Sequence, residues 1–446
     1  MIRESYESRA HAVRRTLFVE GKAFHSRIED VSGLGGRHSS WARWWRSYLF
    51  GKRTELEAPA AGNVAIADVF CGCGGLTLGA IEACLAVGIR PTVRLAIDMD
   101  TEALAVYARN LGPERTLGAN VSGLVDYKVL GWGARARFAY DPEPLHGTMR
   151  AAQGEVDLLL AGPPCEGHSN LNNRTRRDDP RNLLYLDAVA TAVAIGAKTI
   201  VLENVPDIVN DRIGVLGTAV ALLEHAGYST TRGVLAADGL GWPQTRKRFF
   251  VVGSRVGAVD LKRVASALAR DPATVRWAIE DLVDNESDQL MDSVPALSAE
   301  NRRRIDYLFD NDLYELPDDI RPRCHRDGHT YPSVYGRLYW DRPAGTITSG
   351  FVTPGRGRFI HPSLRRPLTP REAARLQGFP DWFDFHPSPG RPPKKSALVK
   401  WIGDAVPPIL GYAVTLAALA ALLRGAQPWF ANRNALQPRP PNAPAS

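Results

Sequence analysis

The chain has 446 residues, with 55 lysines and arginines against 48 aspartates and glutamates, and 44% apolar side chains. This composition is typical of a globular protein and excludes a chain that is disordered throughout, and the length suffices for two or three domains. The formal net charge of +7 permits a polyanionic partner but does not identify one, because many basic proteins bind no nucleic acid.

Cysteine usage and apolar runs give expectations about the compartment. The five cysteines are odd in number and lack paired C-x-x-C spacing, which argues against a disulfide framework and against a structural zinc site, so we expect no metal. No apolar run follows the charged first residues, so no secretory signal is visible. The longest apolar stretch, 409–423, has about 15 residues against the roughly 20 that span a bilayer, and it predicts a buried helix. We expect a cytoplasmic protein without membrane contact.

Residues 1–61 are predicted to form an N-terminal extension. It contains the basic aromatic run WARWWR at 41–46, and the Pro/Ala/Gly stretch 58–62 is typical of a linker. Two interpretations of the aromatic run stay open. It forms an amphipathic helix that packs its tryptophans on the main body, or it provides an accessory contact to nucleic acid.

From residue 64 the chain alternates between short apolar runs and segments of helical spacing. The runs are apolar on both faces and predict buried parallel strands at 64–70, 93–98, 156–162, 199–204 and 249–254. The helical segments between them are 76–86, 102–110, 183–195 and 216–226. This alternation predicts an α/β fold with a doubly wound, Rossmann-like sheet, in which ligands bind at the carboxyl ends of the strands.

Four further boundaries follow from changes in this pattern. The main α/β domain is predicted over 62–253. The alternation fades over 254–333, where acidic patches predict a separate small lobe. Segment 334–425 again has the sequence pattern of an ordered domain. We expect this segment to return to the first domain and to end in the apolar helix. The composition of 426–446 predicts a disordered tail.

A glycine-rich turn, DVFCGCGG at 68–75, follows the first predicted strand and precedes a helix. Glycines let the backbone approach a ligand closely, and a helix start offers free N–H groups. The spacing does not match G-x-G-x-x-G because Thr77 occupies the last position, which favours a small nucleoside with a charged tail over a dinucleotide. The second strand ends in Asp98, whose carboxylate could accept hydrogen bonds from ribose hydroxyls. A purely structural turn is the alternative.

The third predicted strand ends in GPPCEGHS at 162–169, which places Cys165 directly after two prolines. A thiol in a polar loop at the carboxyl end of a strand is a candidate nucleophile, whereas the default for a cysteine is a small buried apolar residue. The arginine-rich segment 170–182 follows, and it is either a contact to phosphates or a solvated surface loop.

Two more polar segments adjoin the remaining strands. Glu203 lies at the carboxyl end of an apolar run. An acid in such an apolar surrounding is unusual unless it has a charged partner or a functional role. Gln244, Arg246 and Arg248 alternate before the last run, so in an extended chain they would point to one side. Such donors could hold a planar polar ligand or a phosphate, and a basic strand edge is the alternative.

In this order the motifs resemble those of the DNA cytosine-C5 methyltransferases over about residues 64–423. The matching segments are DVFCGCGG, the acid at Asp98, GPPC, ENV, QTRKR, RPLTPREAARLQGFP at 366–380 and IGDAVPP at 402–408. The resemblance implies a Rossmann-like domain that binds S-adenosyl-L-methionine, double-stranded DNA as the substrate, and a small lobe that reads the target sequence.

The resemblance also implies the roles of individual residues. Cys165 would attack C6 of a flipped cytosine, a protonated Glu203 would stabilise the ring at N3, and Arg246 with Arg248 would hold the base. The residues implied for the methyl donor are Asp68, Phe70, Gly72, Gly74, Gly75, Asp98, Met99, Asn120, Pro164, Asp404 and Val406. The residues assigned to DNA contact are Ser169, Arg174, Arg176, Arg177, Gln244, Arg323 and Arg326.

Departures from the family pattern keep two alternatives open. Glu166 replaces the usual Gln after the catalytic Cys, Asp404 replaces the usual Asn, and an insertion is predicted near 126–150. The two extra acids are the reason for the first alternative, a catalytically impaired protein that recognises cytosine in DNA. A tRNA cytosine-C5 methyltransferase is the other alternative, although the cysteine signature of that branch is not seen. We expect a bacterial monomer, with any cognate restriction endonuclease acting separately.

Overall fold

The computed structural model describes residues 2–35, 38–164, 179–284, 287, 289–326 and 333–425. The strands, in chain order, are β1 (Ile2–Arg9), β2 (Ala12–Val19), β3 (Lys22–Glu29), β4 (Glu55–Leu56), β5 (Asn63–Val69), β6 (Arg90–Asp98), β7 (Thr116–Gly118), β8 (Val125–Asp126), β9 (Val129–Leu130), β10 (Arg137–Phe138), β11 (Glu143–Pro144), β12 (Leu158–Ala161), β13 (Thr199–Asn204), β14 (Ser229–Ala236) and β15 (Lys247–Ser254). The helices are α1 (Ser40–Leu49), α2 (Gly75–Ala86), α3 (Thr101–Leu111), α4 (Gly147–Arg150), α5 (Leu184–Ala194), α6 (Val215–His225), α7 (Leu261–Leu268), α8 (Val275–Ile279), α9 (Ala299–Asp310), α10 (Pro370–Gln377), α11 (Lys395–Asp404) and α12 (Pro408–Gly425).

A seven-stranded mixed sheet in the order β14-β15-β13-β12-β5-β6-β7 forms the centre, which confirms the α/β prediction. The strands β13, β12, β5 and β6 are parallel, as predicted. The predicted direction of the last strand is wrong, because β15 runs antiparallel between β13 and β14. Its connection to β14, residues 237–246, is too short for the crossover that parallel neighbours need.

The carboxyl-terminal helix α12 packs directly against α2, the first helix of the sheet domain. A Cβ atom at Gly79 would lie 2.0 Å from the carbonyl oxygen of Pro408, and one at Gly411 would lie 2.5 Å from the carbonyl oxygen of Leu76. Two glycines therefore allow the backbones of the two helices to touch. This contact returns the end of the chain to the start of the sheet domain.

The N-terminal segment shares the core of the sheet domain. Strands β1 to β4 form an antiparallel sheet, and α1 follows β3 in the chain. Trp44 and Trp45 of α1 are buried, and the ring of Trp45 meets that of Trp242 edge to face at 5.8 Å. The packing interpretation of the aromatic run is thus confirmed, because buried tryptophans cannot contact nucleic acid.

Residues 125–144, within the region of the predicted insertion, form two short antiparallel ribbons, in which β8 pairs with β11 and β9 with β10. The tip of this segment packs against α6. The predicted tail 426–446 lies outside the described residues.

The small lobe differs from the predicted range 254–333 at both ends. Residues of α7 and α8 belong to the main core, because α7 buries its apolar stripe, Leu261, Val264 and Leu268. A separate small core instead gathers around α9 and extends past 333 to Ile360.

Among the described residues, no single helix is long and apolar enough to cross a membrane. The bent pair Lys395–Asp404 and Pro408–Arg424 meets the length and composition criteria only when its two members are taken together.

We expect Gly79→Ala to destabilise the protein by about 2 kcal/mol or more, because its methyl group would overlap backbone atoms of α12. The measurement is urea-induced unfolding followed by circular dichroism. Gly147→Ala is the matched control, since a Cβ atom there would meet no heavy atom within 4 Å. Equal stability of the two variants would contradict the close approach of α2 and α12.

Candidate active site

The glycine-rich turn lies between the end of β5 and the start of α2. Phe70, Gly72 and Gly74 have φ angles of 57°, 51° and 100°, so the turn is left-handed at three positions. A Cβ atom at Gly74 would lie 2.5 Å from Leu111, whereas one at Gly72 would meet no heavy atom within 4 Å. The turn is therefore packed on one side and open at Gly72, where a ligand can approach the backbone.

Asp98, at the carboxyl end of β6, holds this turn in place. Its Oδ2 accepts a hydrogen bond from the Gly72 amide at 2.8 Å, and its Oδ1 accepts one from the Asp100 amide at 2.8 Å. Burial raises the pKa of Asp98. The next side chain, Met99, is 71% exposed. An acid and an exposed apolar side chain beside an open glycine turn fit a nucleoside, with its ribose on the acid and its base on Met99.

Asp68 lies behind the turn rather than on its open side. The carboxyl group is buried, its Oδ2 accepts a hydrogen bond from the Thr77 hydroxyl at 2.6 Å, and the Tyr107 hydroxyl donates to Thr77 at 2.9 Å. Burial raises the pKa of Asp68 to about 8, and the nearby charge of Asp98 adds to the increase. The geometry gives Asp68 a structural role beneath the turn.

The segment that precedes α12 borders the same turn. A Cβ atom at Gly75 would lie 2.5 Å from the carbonyl oxygen of Val406, so only glycine allows this approach. Asp404 is exposed, and its carboxylate forms an ion pair with Lys400 one helical turn earlier. The structure thus brings Ala405 and Val406 to the turn.

Glu203 is the penultimate residue of β13 and is buried beside the end of β12. Its Oε1 lies 2.6 Å from Nε of Arg248, and its Oε2 lies 3.5 Å from the place of a Cβ atom on Gly162. Gly162 and Pro163 lead into the segment that contains Cys165. Burial raises the pKa of Glu203, while the charges of Arg248 and Arg246 oppose that increase.

Arg246 and Gln244 point into the protein. The Arg246 side chain is buried, and its guanidinium donates hydrogen bonds to the carbonyls of Ile347 at 2.7 Å, Gly403 at 2.9 Å and Asp404 at 3.2 Å. Gln244 is 0% exposed. The prediction that Gln244 contacts DNA is therefore corrected, because protein groups enclose its amide. Arg248 is the residue of this motif that faces Glu203.

The remaining predicted residues are spread more widely. Asn120 is exposed and accepts a hydrogen bond from the Ser122 amide at 3.2 Å. Pro164 is half-buried. Arg323 is exposed in the small lobe, where the half-buried Arg326 donates to a backbone carbonyl. The predicted residues that lie outside the described part of the chain are Cys165, Ser169, Arg174, Arg176 and Arg177.

Sequence reasoning missed Gln377, a buried residue that bonds to the segment before α12. Its place within the RLQGFP motif was the available signal. Among the described residues, no group of three or more His, Cys, Asp or Glu side chains could hold a metal ion.

Comparisons with known proteins identify the family to which the chain is similar. The family model described as C-5 cytosine-specific DNA methylase matches residues 64–419. The type II methyltransferase M1.BsuMI of Bacillus subtilis (strain 168) is 37% identical over 409 residues, which cover 91% of this chain and 92% of that relative. The type II methylase M.HgiDII of Herpetosiphon aurantiacus is 29% identical over 356 residues, 78% of this chain and 92% of its own.

Among solved structures, the crystal structure of the S. pombe Dnmt2 methyltransferase superposes with a TM-score of 0.51 at 16% identity. It covers 80% of this chain and 98% of its own. At this identity the likeness concerns the fold alone.

We expect the stability of the protein to fall as the pH rises from about 4 to about 8, because Asp68 keeps its proton in the folded state to about pH 8 but loses it near pH 3.8 when unfolded. Relative to Asp68→Asn, which has no such proton, the free energy of unfolding should decrease by about 1.4 kcal/mol per pH unit within this window. Urea unfolding at several pH values measures the difference.

Asp141→Asn, a change at an exposed position, is the control and should keep the pH dependence of the wild type. Parallel stability curves for the wild type and Asp68→Asn would contradict the assignment.

Proposed function

The chain belongs to the family of C-5 cytosine-specific DNA methylases and is a DNA (cytosine-5)-methyltransferase, and we propose that it methylates a flipped cytosine from S-adenosyl-L-methionine through a covalent cysteine intermediate. Its substrate is DNA. The observation that carries the mechanism is the buried Glu203, paired with Arg248 at 2.6 Å, beside the strand that leads to Cys165.

The open side of the glycine turn supports S-adenosyl-L-methionine as the methyl donor. The space over Gly72 admits a ligand to the backbone, Asp98 would bind the ribose, and Met99 would cover the adenine. The backbone of 404–406 would close the pocket from the other side. The donor supplies an electrophilic methyl group, which the residues of the chain must align with the base.

The proposed reaction activates a carbon that is otherwise a poor nucleophile. The Cys165 thiolate would add to C6 of cytosine while a proton from Glu203 goes to N3, so that C5 becomes nucleophilic. C5 would then take the methyl group from the sulfonium of the donor, which leaves as the thioether S-adenosylhomocysteine. A base then removes the C5 proton, and elimination at C6 releases Cys165. Burial favours the protonated form of Glu203 that this step needs, while Arg248 holds the carboxyl in position.

The target cytosine must leave the duplex for this chemistry, because a thiol cannot reach C6 inside the base stack. We propose that the segment after Cys165, with Ser169, Arg174, Arg176 and Arg177, contacts the opened DNA. Arg323 and Arg326 of the small lobe would contact the duplex around the target.

The ion pair at Asp404 weakens the alternative of a silenced, cytosine-recognising protein. Lys400 offsets the charge that this departure from the family pattern adds, and both side chains are about half exposed. We further propose that the enzyme acts as a cytoplasmic monomer in a type II system, with a separate restriction endonuclease.

We expect Cys165→Ala to abolish transfer of labelled methyl groups to DNA, and Glu203→Gln to slow it by about 10² or more, because each removes a group needed for attack at C6. The assay supplies mixed genomic DNA and tRNA, and base-resolved mapping of 5-methylcytosine then gives the target sequence. Cys84→Ala, in the last turn of α2, is the control. Label in tRNA alone would favour the tRNA alternative, and no label in either polymer would favour the silenced protein.

The covalent route predicts that DNA with 5-fluorocytosine at the mapped target traps the wild-type enzyme. Fluorine at C5 cannot be removed as a proton is, so the bond between Cys165 and C6 persists after methyl transfer. A complex that survives a denaturing gel is the expected result for the wild type and Cys84→Ala, and its absence for Cys165→Ala. Methylation of ordinary DNA without trapping would contradict the covalent intermediate.

A further inference from the structure

Two buried glutamine amides form a continuous hydrogen-bonded link between the QTRKR and IGDAVPP motifs. Gln244 and Gln377 are both 0% exposed, and Nε2 of Gln244 donates to Oε1 of Gln377 at 2.8 Å. Nε2 of Gln377 donates to the carbonyls of Ile402 at 2.7 Å and Ala405 at 2.8 Å. We call this pair of side chains the amide clamp.

The amide clamp uses every N–H donor of both side chains. Gln244 gives its second N–H to the carbonyl of Leu376 at 3.0 Å, and its Oε1 accepts from the Ile347 amide at 3.0 Å. A side-chain amide has two donors and one acceptor oxygen, and here each of these groups has a protein partner. The orientation of both amides is therefore fixed, and with it the position of the two carbonyls that Gln377 holds.

The carbonyls in question belong to segment 402–406, which lies between the amide clamp and the glycine turn. Gly75 meets the carbonyl of Val406 so closely that no Cβ atom fits between them. Next to this segment, the Trp401 indole donates to Asp100 at 2.9 Å, two residues after Asp98, the acid that holds Gly72. A displacement of Ala405 would therefore be transmitted to the open turn, because the intervening atoms are in contact.

We propose that Gln377, supported by Gln244, is a positioning residue for the methyl-donor pocket: it holds segment 402–406 against the glycine turn and so sets the affinity for the donor. This role rests on the proposed function, since it assumes that the turn binds S-adenosyl-L-methionine. Gln377 acts through the backbone of Ile402 and Ala405 and makes no contact with the donor itself.

The test replaces Gln377 by glutamate, which has nearly the same shape but places an oxygen against the two carbonyls. Binding of S-adenosylhomocysteine, measured by calorimetry in the absence of DNA, should weaken by about tenfold. Hydrogen exchange of the amides in 402–406 of the ligand-free protein should accelerate. In steady-state assays the KM for the donor should rise more than kcat falls. If Gln377→Glu does not fold, Gln377→Met removes the same donors without a charge.

Tyr228→Phe is the matched control, because it removes a buried hydrogen bond to the carbonyl of Ala197 at the opposite end of the strands. It should lose stability but keep the wild-type affinity for S-adenosylhomocysteine. Wild-type affinity in the Gln377 variants, or an equal loss of affinity in Tyr228→Phe, would overturn the positioning role. Failure of the wild type itself to bind would instead overturn the donor assignment on which the role rests.

Discussion

The backbone contact between α2 and α12 is the constraint on which the site depends. Helix α12 ends the described chain, yet at Gly79 and Gly411 its backbone lies against the first helix of the sheet domain. Larger side chains at these positions would separate the helices and draw segment 402–406 away from the glycine turn. The glycine turn and segment 402–406 are therefore brought together from positions more than 300 residues apart in the sequence, and this close approach depends on glycine.

Segment 402–406 is also linked, through Arg246 and Arg248, to Glu203 at the end of the central sheet. Arg246 donates to the carbonyls of Gly403 and Asp404, while Arg248, two residues later, pairs with Glu203. The two arginines lie in one short stretch of the chain, so the backbone of 403–404 and the carboxyl group of Glu203 are fixed relative to each other. This connection explains why an arginine expected to hold a base is buried instead, since its three carbonyl partners need a cation with several donors.

The predictable part of the fold is the part with the strongest periodic signal. The apolar runs and helical segments predicted the buried strands and the helices α2, α3, α5 and α6 with small errors at their ends. They were predictable because elements buried on both sides contain few polar residues. Strand β14 was missed because most of its first residues are polar or glycine, as suits an edge strand. The N-terminal sheet was also missed, although Val13, Leu17 and Val19 are spaced to share one buried face of a half-buried strand.

For the site, the order of motifs sufficed to place residues near the carboxyl end of a strand, such as Asp98 and Glu203. It failed for Gln244 and Gln377, whose roles depend on contacts with residues about 100 and 25 positions away that no local pattern encodes. The predicted lobe boundary failed for a related reason. The burial of α7 in the main core depends on packing against distant elements, and fading alternation in the sequence does not report it.

Three carboxyl groups lie at the carboxyl edge of the sheet, and their surroundings differ: Asp68 and Glu203 are buried, whereas Asp98 is half-buried. Asp68 has a hydroxyl partner and a neighbouring acid, and its raised pKa favours a lasting proton and a structural role. Asp98 accepts two backbone amides, which fix its carboxylate beside the turn. Glu203 alone combines burial, which favours the protonated form, with two arginines, which favour the charged form. A carboxyl group in such surroundings is a candidate general acid, because burial, the larger influence, raises its pKa while Arg248 holds it in place.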